Sequence, residues 1–302
     1  GSVMTGYEGQ VSLSTSSGHG RWSSQTGAGA LVPAPDDTDD GMATYQFAQA
    51  DAGEVELVFS NTHADTLTIT AWDQAADVSV TSSPIAFAEN ALFIESSDGL
   101  GDDLIAGRTH AYDVSLLKRG TDGQECDVAV DYEGVHGLKA WLDRETEDPG
   151  GAAPQLDSSE ASLATTPSTQ PSSNNFSVRF TEGVGSFTLT PPDVGRYTLN
   201  FLDDTSGFAQ DVNGNPIPII SASANAPWTA RPFAISVEAV DNPGATDATG
   251  PVYRVAGEDF TLRVGGRLYD SSDDGNGDGV ADTGANLLDN GLAPSFGVEG
   301  EK

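Results

Sequence analysis

Cysteine is nearly absent from this chain of 302 residues: Cys126 stands alone. A single thiol excludes an intrachain disulfide. With no activating histidine evident, Cys126 reads as a small buried hydrophobe rather than a nucleophile. Basic residues are also scarce, 13 Lys and Arg against 46 Asp and Glu, for a formal net charge of -33. That balance argues against nucleic acid as a partner, because binding it takes a basic face that displaces counterions. It argues equally against anionic membrane surfaces. There is no transmembrane run, signal peptide or lipidation motif. Helix-forming blocks of Ala, Leu, Glu and Lys are almost missing.

Catalytic signatures are missing too. The four histidines, His19, His63, His110 and His136, show no HxH or HExxH spacing. GxSxG, P-loop and dinucleotide fingerprints do not occur. Among 46 acids some carboxylate pair always fits a glycosidase, so nothing singles one out. The expectation is a chain that binds and does not catalyse.

What remains is a composition of strands and turns. Gly (35) and Pro (16) are frequent, and Ser, Thr, Asp and Val dominate. Val11, Leu13 and Thr15 alternate with Ser12, Ser14 and Ser16, the period of a half-buried strand. Short strands recur with turns between them, which predicts an all-β chain of two to three Ig-like β-sandwich modules in tandem. The expected divisions are 1–83, an Ig-like sandwich; 84–230, a sandwich with a long polar insertion over 146–175; and 231–302, a partial β module. Ala75 to Pro84 reads as a linker. The insertion is long for an unstructured loop and is expected to be flexible in part or to cover a sheet edge. Gly18-His19-Gly20 reads as a plain turn. A strand pattern starts soon after Gly1-Ser2, so the chain reads as an excerpt of a longer protein whose other domains are its nearest partners.

The sharpest motif is Asp274-Gly275-Asn276-Gly277-Asp278-Gly279-Val280-Ala281-Asp282. Oxygen-bearing side chains fall at loop positions 1, 3, 5 and 9, with glycine at position 6. Hard cations collect such oxygens, and a glycine there permits the sharp turn. Asp274, Asn276, Asp278, Asp282 and the Val280 carbonyl are the expected Ca2+ ligands. Position 12, where a bidentate acid belongs, holds Ala285; Asp289, Asn286, Asp273 or water would complete the shell. A solvated Asp/Gly turn is the alternative. Asp211, Asn213 and Asn215 form a weaker candidate, read chiefly as a hairpin turn.

The four tryptophans pose a second choice. In a sandwich they are usually core, but a coplanar set would stack on sugar rings. Trp72 and Trp141 are expected inside. Trp22 and Trp228 lie near turns and are the candidates for exposure. A carbohydrate-binding module is therefore the alternative function.

Ordered stretches along the chain resemble the MshQ-like proteins, which are encoded with the MSHA type IV pilus system of Gram-negative, often marine, bacteria. They are Gly6-Tyr7 through Val11 to Gly20; Asp40-Gly41 with Ala43-Thr44-Tyr45; and Asn61-Thr62-His63 with Thr66-Leu67. Farther on come Cys126, Tyr132-Glu133-Gly134 and Leu138 to Trp141, then Gly183-Val184-Gly185 and Asp193 to Tyr197 with Leu199 to Phe201. Arg231-Pro232-Phe233 resembles the family's boundary into a further module, and Asp278 to Ala285 with Asp289-Asn290 its Asp-rich loop. The resemblance implies a large exported protein of pilus biogenesis or surface attachment, often with a lectin-like domain upstream. It implies an extracellular location, with pilus subunits or surface glycans as partners.

Overall fold

The computed structural model describes residues 3–99, 103–120, 126–148, 150–210, 213–221, 227–244 and 249–298. The chain is all-β, as expected, and forms two compact units: residues 1–90 with 118–127, and residues 91–117 with 128–302.

The first unit holds β1 (Gln10–Thr15), β2 (Arg21–Ser24), β3 (Ala30–Val32), β4 (Ala43–Gln46), β5 (Leu57–Ser60), β6 (Thr66–Leu67), β7 (Ile69–Asp73), β8 (Val78–Thr81) and β9 (Ile85–Ala86). One sheet runs β3-β4-β1-β7-β8, while β2-β5 and β6-β9 form separate pairs. Leu13 and Tyr45 from the large sheet pack with Trp22 from β2, and Leu57 and Phe59 from β5 lean on the same cluster. Strands β1 to β5 and β7 thus contribute residues to a shared core, which is the layering of a sandwich.

The edge of β2 is closed by a side chain. Trp22 N–H points away from β5 and donates to Asp36 Oδ2 at 2.7 Å. Asp36 is buried and accepts further bonds from Thr38. A carboxylate at an open edge satisfies the donor and deters another strand from pairing there.

The expected linker 75–84 contains β8, which pairs with β7 through Ala71↔Val80 and Trp72↔Ser79. Every residue of β8 is exposed. Its alternation of valine with serine or threonine lies on a surface edge, so burial gave no contrast to read.

The second unit holds β10 (Asn90–Ser96), β11 (Asp103–Ile105), β12 (His110–Arg119), β13 (Cys126–Val128), β14 (Gly134–Arg144), β15 (Gln155–Asp157), β16 (Ser162–Leu163), β17 (Phe176–Thr181), β18 (Val184–Thr190), β19 (Gly195–Asp203), β20 (Ile219–Ile220), β21 (Trp228–Arg231), β22 (Ala234–Ala239) and β23 (Leu262–Arg267). The sheet order is β10-β12-β18-β17-β14-β19-β21-β11. β14 is its hinge. Gly134–Leu138 pair with β17, and Lys139–Arg144 pair with β19. One long strand thereby belongs to both halves of the sheet, and Leu138, Ala140 and Leu142 lie in the common core with Phe176, Phe187, Phe201 and Trp228. Burying a phenylalanine there stabilises the fold by about 1.5–3 kcal/mol.

β14 is buried on both faces from Leu138 to Leu142, which explains its imperfect alternation. The polar insertion covers it. Asn175 mimics a strand, its side chain accepting from Ala140 N at 2.7 Å and donating to Ala140 O at 2.9 Å. Leu142 N donates to Pro167 O. Part of the insertion forms β15, which pairs with β18.

β22 and β23 form a hairpin in register Val237↔Val264. Beyond it the chain packs back on the same unit, Ala293 and Phe296 against Ala106 and Val194. Ile235, Val237, Leu262 and Val264 on the hairpin are exposed.

Candidate functional site: the Asp-rich loop

The loop begins where β23 ends. A short 3-10 turn, Ser271–Asp273, is capped by Asp270, whose side chain accepts from Ser272 N. That bond holds the Asp270 carboxyl below its ordinary value. Asp274 follows and is 4% exposed. Its Oδ2 accepts from Gly279 N at 3.1 Å, closing the turn from loop position 1 to position 6. Gly279 has φ +81° and Gly277 φ +75°, conformations costly to any residue with a Cβ. The sequence expectation for glycine at position 6 thus has a backbone reason.

The remaining expected ligands are near one another in pairs but do not share a centre. Asn276 Nδ2 donates to Asp278 Oδ2 at 2.9 Å, and both side chains are exposed. Val280 N donates to Asp278 Oδ1 at 2.9 Å. Asp282 Oδ2 accepts from Gly275 N at 2.8 Å, and Asp282 N reaches back to Asp273 O. Asp289 stands apart and accepts from Asn286 Nδ2 at 2.9 Å. Among the described residues no three His, Cys, Asp or Glu side chains are grouped as a metal site.

Two arginines outside the motif hold the loop. Arg108 lies 3.5 Å from Asp274 Oδ2, donates to Gly277 O at 3.1 Å and rests over the Tyr269 ring. Arg231, on β21, grips both oxygens of Asp103 and donates to Gly279 O at 3.2 Å. Burial, followed by the Asp274 charge, raises the Tyr269 phenol above its ordinary value. Sequence reasoning missed both arginines. The available signal was the rarity of basic residues, since few cations are on hand to neutralise this many acids.

Three oxygens in this region are buried without a hydrogen-bond partner of normal geometry: Asp273 Oδ2, Asp274 Oδ1 and Asn290 Oδ1. Their residues are 8%, 4% and 4% exposed. Buried acceptors left open are costly and uncommon, about 1–3 kcal/mol each.

The weaker candidate divides. Asp211 lies outside the described residues, while an antiparallel bridge from Gln210 to Pro216 closes the turn carrying Asn213 and Asn215.

The tryptophans reverse their expected order. Trp22 is 6% and Trp228 2% exposed, whereas Trp72, expected inside, is 39% exposed. Trp22 flanks a turn but points inward, its Nε1 donating to Gly41 O. Trp228 starts a strand and stacks on Tyr112 at 4.6 Å. Trp72 shares its strand with core residues but faces the opposite side. Trp141 is buried as expected, at 7%. Cys126 is exposed rather than buried, because its short strand lies at a surface. Gly18-His19-Gly20 is more than a turn: His19 stacks on His63 at 3.9 Å, and its Nδ1 sits 3.1 Å from Asp65.

Comparison with known proteins adds the following. No curated protein matches the chain. Among solved structures, the D0-D1 domain of Intimin aligns over 73% of this chain and 80% of its own, at 10% identity and a TM-score of 0.26, too slight a likeness to carry anything further. Residues 74–216, from β8 through β19, match the family model described as "Domain of unknown function (DUF6701), first Ig-like domain".

Proposed function

We propose that this chain is a non-catalytic structural and adhesive segment of a cell-surface protein, associated with a type IV pilus of the MSHA kind, and that Ca2+ stiffens its Asp-rich loop. The Ig-like family match over residues 74–216 supports a modular, non-catalytic role. The resemblance to MshQ-like proteins supports the surface and pilus setting.

One observation carries the calcium reading: Asp273, Asp274 and Asn290 bury oxygens that meet no hydrogen-bond donor of normal geometry among the described residues. A hard cation takes six to eight such oxygens. The donor set fits, with carboxylates at Asp274, Asp278 and Asp282, the Asn276 amide, the Val280 carbonyl and, from outside the motif, Asp273 or Asp289. Loading requires the Asn276–Asp278 bond to open and Asp282 to turn from Gly275 N. Arg108 then stands as the internal cation that offsets Asp274 when the ion is away.

The test is thermal unfolding of the full chain in chelator and in Ca2+. Asp278→Ala, at an exposed position, keeps the fold and loses the calcium-dependent rise in Tm. An equal Tm in both buffers for the unmodified chain sinks the calcium reading.

The tryptophan-platform reading of a carbohydrate-binding module loses its residues, since Trp22 and Trp228 are both core.

A further inference from the structure

In the first unit, Arg21, Asp39, Phe87, Glu89 and Arg119 surround a pocket of about 180 Å³, together with the Ser60–Ala64 segment and Cys126. All its lining residues belong to that unit, which takes in Arg119 at the end of β12 and Cys126 at the start of β13. Drug-sized ligands occupy roughly 300 Å³ or more, so this pocket suits something near a single ring.

Its charges are unusual for this protein. With 13 basic residues against 46 acidic, arginines here normally have a partner. Arg108, Arg144, Arg179, Arg196, Arg231 and Arg263 each face a carboxylate, while Arg254 and Arg267 donate to carbonyl or hydroxyl oxygens. The side chain of Arg21, half-buried at the pocket, has no hydrogen bond or ion pair among the described residues. Arg119 spends one nitrogen on Thr62 O at 2.7 Å and meets no carboxylate among the described residues. A guanidinium offers five donors in a planar fork that matches a carboxylate.

The rest of the lining is built to accept. Asp39 is fixed by Gly20 N, which donates to it at 2.6 Å, and lies 3.3 Å from His63 Nδ1. His63 is itself held by its stack on His19. Asn61 is fixed by Asp65 and by His63 N. Glu89 has no side-chain partner among the described residues. Phe87 adds an apolar wall and stands edge-on to Phe59 at 5.9 Å. A bare inorganic anion would meet Glu89 and Asp39 as repulsion. A ligand with one carboxylate and several hydroxyls satisfies both kinds of lining group, since hydroxyls donate to carboxylates and a ring packs on an aromatic.

We propose that this pocket binds a carboxylate-bearing sugar residue, with Arg21 and Arg119 on the carboxylate and Glu89 and Asp39 on the hydroxyls. The site shares nothing with the Asp-rich loop, and the test is run in chelator so that the two readings fail separately.

The experiment titrates the full chain with glucuronate, galacturonate and N-acetylneuraminate by calorimetry. Glucose, inorganic phosphate and glycine serve as comparison ligands. Cys126, at the pocket lip and the chain's one cysteine, gives a second readout through its rate of alkylation. At least one acidic sugar is expected to bind and to slow that alkylation. Arg21→Gln weakens binding about ten- to a hundredfold, the loss of a charge-assisted contact. The Arg21 side chain makes no bond among the described residues, so that variant stays folded. Glu89→Ala weakens binding as well, by removing a hydroxyl acceptor. No binding by any of the three sugars overturns the proposal, as does unchanged affinity in Arg21→Gln. Glucose, phosphate or glycine binding as tightly as the acidic sugars also overturns it.

Discussion

Tyr132 donates a 2.6 Å hydrogen bond to Asp203 Oδ2, and both groups are buried. His136 stacks on the phenol at 3.7 Å, with its Nδ1 3.9 Å from the same carboxylate. Burial, and then the Asp203 bond, push the Tyr132 phenol far above its ordinary value. Burial pushes Asp203 the other way from its bonds, but hydrogen bonds from Ser206, Tyr132 and the Thr205 backbone outweigh it and hold the carboxyl below 3.8.

The first prediction concerns this pair. Tyr132→Phe leaves a buried carboxylate oxygen without its donor and costs about 1–3 kcal/mol in chemical denaturation. The pH sign follows from the lowered value. Between the folded and unfolded values the unfolded chain binds more protons, so stability rises with pH there. The contribution of Asp203 is complete above the ordinary value of 3.8 and is lost as pH falls through its lower folded value. Tyr132→Phe makes acid unfolding begin at higher pH; an unchanged acid midpoint contradicts this role.

His110 gives the second prediction. Its Nε2 accepts from Ile105 N at 3.0 Å, so the proton sits on Nδ1 and faces Asp98 at 2.8 Å. Burial lowers its affinity for a proton and outweighs the help from Asp98. The unfolded chain therefore binds the extra proton first, and stability falls as pH drops below 6.5 toward the lower folded value. Nitrogen chemical shifts should show a neutral Nδ1–H ring at pH 6.5. A doubly protonated ring at that pH contradicts the assignment.

The third prediction concerns Asp36 and the edge of β2. Asp36→Ala strands the Trp22 N–H and costs about 1–3 kcal/mol. It also opens an edge that Asp36 now guards, so light scattering at high concentration is expected to rise. Trp22→Ala costs more, about 3–5 kcal/mol, through the core cavity it leaves. Trp72→Ala, at an exposed site, stays within about 0.5 kcal/mol.

These residues show what the sequence made legible. Strands with a buried and a solvated face could be read because their alternation is chemical: β12 and β19 alternate buried and half-buried along most of their length. β8 could not, since both its faces are wet. Trp22 and Trp228 were misplaced because nearness to a turn does not fix which way a ring points. The Asp-rich loop was visible because its glycines and acids sit in local sequence. Arg108 and Arg231 were not, because they reach it from residues 166 and 48 positions away. Distant partners leave no periodic trace.

The fourth prediction is magnesium against calcium. Mg2+ demands a tight octahedral shell and sheds water reluctantly, whereas this loop offers many oxygens on a turn. Ca2+ at a hundred times its Kd should stabilise the chain by about 2.7 kcal/mol. Equimolar Mg2+ should give a clearly smaller shift in Tm.

Calorimetric titration of Ca2+ into the chelator-stripped full chain addresses the proposed calcium site most directly. The expected result is saturable binding of one ion, abolished by Asp278→Ala and by Asp274→Asn. Absence of saturable heat, or binding that survives both substitutions, contradicts it.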